Sequence, residues 1–342
     1  MTTDEIAVAL RPVLAEACGA ERATVHEIRA MTGGAAREAW RLDVSLERAG
    51  HAAERRTFVA LLFRAGGQSA FSGVQEAELL SAAGRAGVPV ARVACAGEEV
   101  LGRPFYVMDY VEGETIGRRL VRDDRFAAAR ARLPVQMAEA LAAIHAVPVG
   151  DDALPFLPRP PSGKSTALAA IETLDEIYRA VAMDPHPAFE LAFRWLLRRV
   201  PATEETTLVH GDFRLGNLMV DETHGLRAVL DWELAHVGDP LQDLGWACVR
   251  SWRFGRDELT CGGVGRREDL VLAYEKASGR TVDPEALRFW EVFGNLNWGV
   301  ITLMQVRPFL DEATPSVELA AIGRRAAETE WEFLNLLDGK AY

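Results

Sequence analysis

Two acidic side chains and one amide stand close enough along this chain to act in a single reaction. Asp212 and Asn217 share the segment His210-Gly-Asp-Phe-Arg-Leu-Gly-Asn217, directly after the apolar stretch Thr207–Val209. A second apolar run, Ala228-Val-Leu230, then delivers Asp231. A carboxylate and an amide on one short loop can orient a hydroxyl and hold a metal, and a further carboxylate completes an all-oxygen set of the kind Mg2+ prefers. Transfer of a phosphoryl group asks for little more, because the work lies in aligning the attacking oxygen and neutralising triphosphate charge. Taken singly, His210-Gly-Asp212 also reads as a turn and Asp231 as a strand-end cap; the combination points to chemistry.

The spacing matches the phosphoryl-transfer pattern of protein kinases, where an Asp precedes a metal-binding Asn and another metal-binding Asp follows after a further strand. Gly211 stands where protein kinases have Arg, and the loop resembles that of the aminoglycoside phosphotransferase and choline kinase superfamily. The resemblance continues through Leu230-Asp-Trp-Glu233 and Gly238-Asp-Pro240 to Asp243-Leu-Gly-Trp246. There it is similar to the branch that includes the kinase-like domain of some acyl-CoA dehydrogenases. It implies an α+β, two-lobed, protein-kinase-like fold, with an antiparallel-sheet nucleotide-binding lobe over residues 1–110 and a mainly helical catalytic and substrate lobe over residues 111–342. The implied reaction is Mg2+-dependent transfer of the γ-phosphate of ATP, or alternatively GTP, to a small-molecule hydroxyl. A hydroxyacyl-CoA or an aminoglycoside-like compound is the expected acceptor.

Within that resemblance, Asp212 accepts the hydroxyl's hydrogen bond and takes its proton late in transfer. Arg214 neutralises charge on the transferred group from the position where protein kinases place Lys, and Asn217 and Asp231 hold the metal. His210 reads as a prop for the loop, and Asp239 and Asp243 as helix caps or braces for backbone amides.

Other elements must place these residues around a nucleotide. Residues 4–18 have helical apolar spacing at Ile6, Leu10, Val13 and Leu14. Gly33 and Gly34 lie between strand-like segments in Met31-Thr-Gly-Gly-Ala-Ala-Arg-Glu-Ala-Trp40, as a loop of backbone amides over phosphates requires, although a plain Gly-Gly hairpin has the same look. The related branch carries Ser where Ala36 stands. In protein kinases a Lys at the end of the next strand binds the α and β phosphates. This chain's lysines are Lys164, Lys276 and Lys340, so an Arg must serve and Arg64, after Phe58-Val-Ala-Leu-Leu-Phe63, is the candidate, give or take a residue or two of alignment, with an exposed structural Arg64 as the alternative. Period-two alternation sets Ala60 and Leu62 on the face of Arg64, where an adenine would lie.

Residues 73–87 read as a helix whose Glu76 either pairs with Arg64, as the helix Glu of kinases pairs with its cation, or simply favours the positive end of the helix dipole, and Gly87-Val-Pro-Val90 and Phe105-Tyr-Val-Met-Asp-Tyr-Val111 read as strands. The second exits at a segment resembling the interlobe hinge, which implies that the backbone at Met108, Asp109 and Tyr110 meets the purine edge. The stripe Leu133, Met137, Leu141, Ile144 and His145 is core by its spacing. Two late apolar segments, 287–293 and 296–306, carry Asn295, Asn297, Trp298, Gln305 and Arg307 as candidate pocket residues. Ser162-Gly-Lys-Ser165 is not a P-loop, because Pro158 occupies the place of its first Gly.

Composition bounds the rest. The chain has 342 residues, 49% of them hydrophobic, and a formal net charge of -12. That length is ample for a core in each of two lobes, and the acidity disfavours a nucleic-acid partner. No apolar run reaches membrane-helix length, which with the N-terminal sequence gives the expectation of a cytoplasmic protein without a membrane partner. Four scattered cysteines argue against a zinc site or a disulfide framework. Two rivals stay open: a nucleotide-binding pseudokinase acting as a scaffold, which the missing lysine keeps alive, and an aspartyl-phosphate phosphatase, which lacks the second Asp of Asp-x-Asp at Asp231-Trp-Glu233.

Overall fold

The computed structural model describes residues 2–31, 37–64, 70–150, 152–202 and 205–340. By contacts the chain divides into two compact units, one of residues 1–112 with 150–156 and 230–234, the other of residues 113–149, 157–229 and 235–342. A division of the sequence at residue 110 places both short later segments in the second region.

In the first unit, helix α1 (Thr3–Ala17) begins at a capping box between Thr2 and Glu5, which satisfies N–H groups that a helix start leaves unpaired. Strands β1 (Arg22–Met31), β2 (Arg37–Glu47), β3 (Glu54–Phe63), β4 (Val93–Val100) and β5 (Arg103–Asp109) form one antiparallel sheet in the order β1-β2-β3-β5-β4. Between β3 and β4 runs helix α2 (Gly73–Arg85), capped by Ser72 and Gln75. The strand expected at Gly87–Val90 does not form; the chain stays irregular there and enters the sheet at Val93.

Alternation gives this sheet two distinct faces. Ala60 and Leu62 on β3 pair across to Val107 and Phe105 on β5, and these four side chains share one buried cluster with Ile6, Leu10 and Leu14 of α1. Directly opposed residues in an antiparallel pair project to the same face. Leu61 pairs with Tyr106 and Phe63 with Arg37, so these residues occupy the opposite face. The apolar pair expected to receive an adenine is therefore core, and the parity of the site is reversed.

The second unit contains helices α3 (Gly117–Arg122), α4 (Ala127–Arg130), α5 (Leu133–Ile144), α6 (Thr166–Val181) and α7 (Pro187–Leu197). Strands β6 (Thr207–Val209), β7 (Leu218–Asp221), β8 (Gly225–Val229) and β9 (His236–Gly238) follow, with β6 paired to β9 and β7 to β8, both antiparallel. Helices α8 (Leu241–Ala247), α9 (Arg267–Ser278), α10 (Pro284–Leu310), α11 (Val317–Gly323) and α12 (Ala326–Leu337) complete it. The two late apolar segments are one continuous helix, α10, of 27 residues. Ser165 of the rejected P-loop stretch caps α6 by accepting the Leu168 N–H at 3.2 Å. All four cysteines are free thiols, and no described helix is long and apolar enough to cross a membrane.

Candidate active site

The loop between β6 and β7 is fixed from both ends. Phe213 and Leu215 are fully buried, and the residues between and beside them turn the other way. Gly211 and Gly216 adopt φ of 81° and 111°, a region that favours glycine; at Gly216 a Cβ would also stand 2.5 Å from Nη1 of Arg214. Asp243 on α8 braces the start of the loop, accepting the N–H of His210 at 2.8 Å and of Gly211 at 2.9 Å. His145 Nε2 lies 3.3 Å from the same carboxylate, and its Nδ1 is 2.8 Å from the Tyr274 hydroxyl. Burial alone would raise the Asp243 carboxyl, but the hydrogen bond and charge of His145, with His210, hold it below the ordinary range. These are the bracing role expected of Asp243 and the buried structural role expected of His145.

At the loop's centre the Asp212 carboxylate accepts three hydrogen bonds. Oδ1 takes Arg214 Nε at 2.9 Å and Trp246 Nε1 at 2.7 Å, while Oδ2 takes Asn217 Nδ2 at 2.6 Å. Asn217 also donates to the Asp212 carbonyl at 3.0 Å, which fixes the amide and leaves its own carbonyl oxygen as an acceptor. The Arg214 guanidinium lies 4.6 Å from the centroid of the Trp252 ring. Sequence reasoning identified Asp212, Arg214 and Asn217 but passed over Trp246. The signal lay in Asp243-Leu-Gly-Trp246, because a residue three positions after the bracing Asp243 shares its helix face.

In the first unit a second polar cluster forms around a residue that the sequence reading did not select. Glu76 is 2% exposed, and its Oε1 accepts both the Arg37 guanidinium and the Tyr106 hydroxyl. Nη2 of Arg37 also reaches Asp231 Oδ1 at 2.9 Å and Glu233 Oε2 at 3.4 Å. Asp231 has φ of 63°, a conformation Asp tolerates better than most side chains. Burial pushes the Glu76 carboxyl above its usual range against the pull of Arg37 and Tyr106. Arg37 itself is shifted upward, because Glu76, Tyr106 and Asp231 outweigh the effect of its burial.

The expected Arg64–Glu76 pair is thus replaced by Arg37–Glu76. Arg64 has an exposed side chain that sits 3.6 Å from Glu38. The register explains the exchange: Arg37 pairs with Phe63, one position short of Arg64, and one position reverses the face. Close packing carries Glu76 to this spot, since a Cβ on Gly73 at the start of α2 would meet the Phe105 backbone at 3.0 Å.

Gly33 and Gly34 lie outside the described residues. At the end of β5, the N–H of Asp109 donates to the Arg92 carbonyl and that of Tyr110 to the Thr57 carbonyl, so these two donors face the sheet and are not presented to a purine. Met108 pairs with Val59 and Val93 inside the sheet. Asn217 immediately precedes β7 and Asp231 follows β8 by two residues, and Leu218 pairs with Val229.

Acyl-CoA dehydrogenase family member 10 of Mus musculus is 33% identical over 185 residues, 51% of this chain and 16% of that protein. Family member 11 of Rattus norvegicus is 33% identical over 225 residues, 62% of this chain and 28% of that protein. The chain therefore spans a minor part of either relative's length. Among solved structures, a Ralstonia eutropha protein with a provisional aminoglycoside phosphotransferase name superposes with a TM-score of 0.74 at 24% identity, covering 97% of this chain and 98% of that one. A thermostable mutant of aminoglycoside phosphotransferase APH(4)-Ia, in complex with AMP-PNP and hygromycin B, gives 0.59 at 18% identity over 94% of this chain and 98% of that one. These establish a protein-kinase-like α+β fold. The sequence profile of the phosphotransferase enzyme family matches residues 27–290, and the chain belongs to that family.

Proposed function

We propose that this protein transfers the γ-phosphate of a purine nucleoside triphosphate to a hydroxyl group of a small molecule, with Mg2+ as the metal. The observation that carries the proposal is the Asp212 carboxylate, held by Arg214, Trp246 and Asn217. A carboxylate fixed by three donors receives a hydroxyl from one direction, and orientation is the main demand of a loose phosphoryl-transfer transition state. The hydroxyl oxygen bonds to the γ-phosphorus as the bond from that phosphorus to the β,γ-bridging oxygen breaks. The nucleoside diphosphate leaves with the bridging oxygen, and the hydroxyl proton passes to Asp212 and then to solvent. Arg214 neutralises charge on the transferred group.

The donor chemistry suits Mg2+. Asn217 offers a carbonyl oxygen and Asp231 a carboxylate. Among the described residues no group of three or more His, Cys, Asp or Glu could hold a metal by itself, so the proposal rests on these two oxygens together with the phosphate oxygens and waters that Mg2+ takes as ligands. Bound there, Mg2+ would neutralise the β and γ phosphates. Arg37, positioned by Glu76, takes over the phosphate contact that the missing N-terminal lysine makes in protein kinases, with Arg64 as its outer neighbour. The chain from Met108 to Tyr110 approaches the purine through its carbonyls.

ATP is the preferred donor and GTP the alternative; similar folds have been solved with AMP-PNP and with GDP. For the acceptor we favour a hydroxyacyl-CoA over an aminoglycoside-like compound. The chain is 33% identical to parts of acyl-CoA dehydrogenase family members and 18% identical to the enzyme solved with hygromycin B. Free cysteines suit a reducing cytoplasm.

A scaffold that binds nucleotide without turnover is the second reading. The hold of Arg37 on Asp231 favours it, because a paired carboxylate has one oxygen fewer for a metal. Purified protein with Mg2+ and labelled ATP, screened against pooled hydroxylated metabolites, hydroxyacyl-CoA esters and aminoglycosides, separates the two. Transfer that vanishes in Asp212→Asn supports the kinase; nucleotide binding with no transfer to any pool supports the scaffold.

A further inference from the structure

We infer that Trp246 is a positioning residue for Asp212, and that Oδ2 of Asp212 is the atom that receives the acceptor's proton. The inference rests on the phosphotransfer reading and deepens it. A carboxylate offers about four lone-pair sites, two on each oxygen. Oδ1 is filled by Trp246 Nε1 at 2.7 Å and Arg214 Nε at 2.9 Å, and Oδ2 has one site filled by Asn217 Nδ2 at 2.6 Å. The remaining site lies on Oδ2, beside the amide that holds the loop.

The two donors on Oδ1 are not equivalent. Arg214 is 26% exposed along its side chain and rests on the Trp252 ring, from which it can turn towards incoming phosphate charge. Trp246 is 5% exposed and is locked by its surroundings. Its ring packs against Trp252 at a centroid distance of 5.3 Å, and Trp252 packs against Trp298 at 4.8 Å. Behind it, α8 lies so close to α10 that a Cβ on Gly245 would stand 2.6 Å from the backbone of Trp290. An indole N–H donates and cannot accept, so it stabilises the carboxylate without competing for the acceptor's hydroxyl. When Arg214 turns to the phosphoryl group, Trp246 is the donor that stays and keeps Oδ1 occupied.

The test replaces Trp246 with Phe, with the isosteric 3-benzothienylalanine, which has sulfur in place of N–H, and with His, whose Nε2 lies the same number of bonds from Cα as the indole nitrogen. Loss of one hydrogen bond to a charged group predicts that kcat falls about 10- to 100-fold in the Phe and benzothienyl proteins. KM for nucleotide and acceptor should stay within about twofold, and the His protein should recover part of the rate. A benzothienyl protein with wild-type kcat overturns the inference, as does an equal fall in all three proteins. A wild-type protein that phosphorylates no acceptor overturns the phosphotransfer reading instead. The contact itself is then read from the indole 1H–15N resonance assigned by its loss in Trp246→Phe: a large shift in Asp212→Asn supports it, and an unmoved resonance overturns it.

Discussion

Arg37 and Glu76 form an ion pair in which the side chains are 8% and 2% exposed, and it joins the first residue of β2 to the first turn of α2. Removing one member of such a pair strands the other in a region that water does not reach. Arg37→Met is expected to lose about 3–5 kcal/mol of stability in urea unfolding. Arg64→Met, at a position 53% exposed and paired to Glu38, should lose less than about 1 kcal/mol. Nucleotide affinity, read by calorimetry, should drop for Arg37→Lys and hold for Arg64→Lys. The reverse order would return the phosphate contact to Arg64.

Asp212→Asn should retain nucleotide binding and lose transfer by about 10^2- to 10^4-fold, the range for a positioned acid or base. The amide fills nearly the same volume but replaces one carboxylate oxygen with N–H groups, which face the Arg214, Trp246 and Asn217 donors. Single-turnover kinetics with labelled nucleotide checks this. A variant as fast as wild type would mean that Asp212 takes no proton.

Chelation of divalent cations should abolish transfer, and Asn217→Ala should raise the Mg2+ concentration needed for half-maximal rate by about tenfold or more. The substitution also removes the donor to Asp212 Oδ2, so kcat should fall even at saturating metal. Titration of the rate with Mg2+ separates the two effects. A rate indifferent to chelator would exclude the metal from the reaction.

Asp243 links pH to the integrity of the loop from His210 to Asn217. Its carboxyl is held below its ordinary value, so the unfolded chain takes up its proton at a higher pH than the folded one. The resulting stabilisation is fully present above about pH 4–5 and is lost as pH falls through the lower folded value. Asp243→Asn should therefore cost about 3 kcal/mol near neutrality, with the gap to wild type closing towards pH 3. Chemical denaturation across pH 3–7 measures it, and a gap independent of pH would show that the charge of Asp243 contributes nothing.

The segments legible in the sequence were those whose information is local. Apolar spacing at Ile6, Leu10, Val13 and Leu14 announces α1, Phe58-Val-Ala-Leu-Leu-Phe63 reads as a strand, and residues 73–87 read as the helix that α2 provides. The stretch from His210 to Asn217 could be read because glycines that permit the turn, apolar anchors and reactive groups are contiguous, so a short loop brings Asp212 and Asn217 together whatever surrounds it. Asp243 was readable as a helix cap or a brace for backbone amides, and the fold decided that the amides are those of His210 and Gly211.

Tertiary structure decided what depends on the pairing of distant segments. Which arginine meets Glu76 turns on the register of β2 against β3, and a shift of one residue exchanges the faces of a strand. No property of Arg64 or Arg37 taken alone carries that information. The burial of Ala60 and Leu62 was set by α1 arriving on their side of the sheet, and the role of Trp246 by the approach of α8 to α10 at Gly245. A sequence lists the groups that can react and the local turns that present them; packing between segments far apart in the chain determines which neighbours hold them in place.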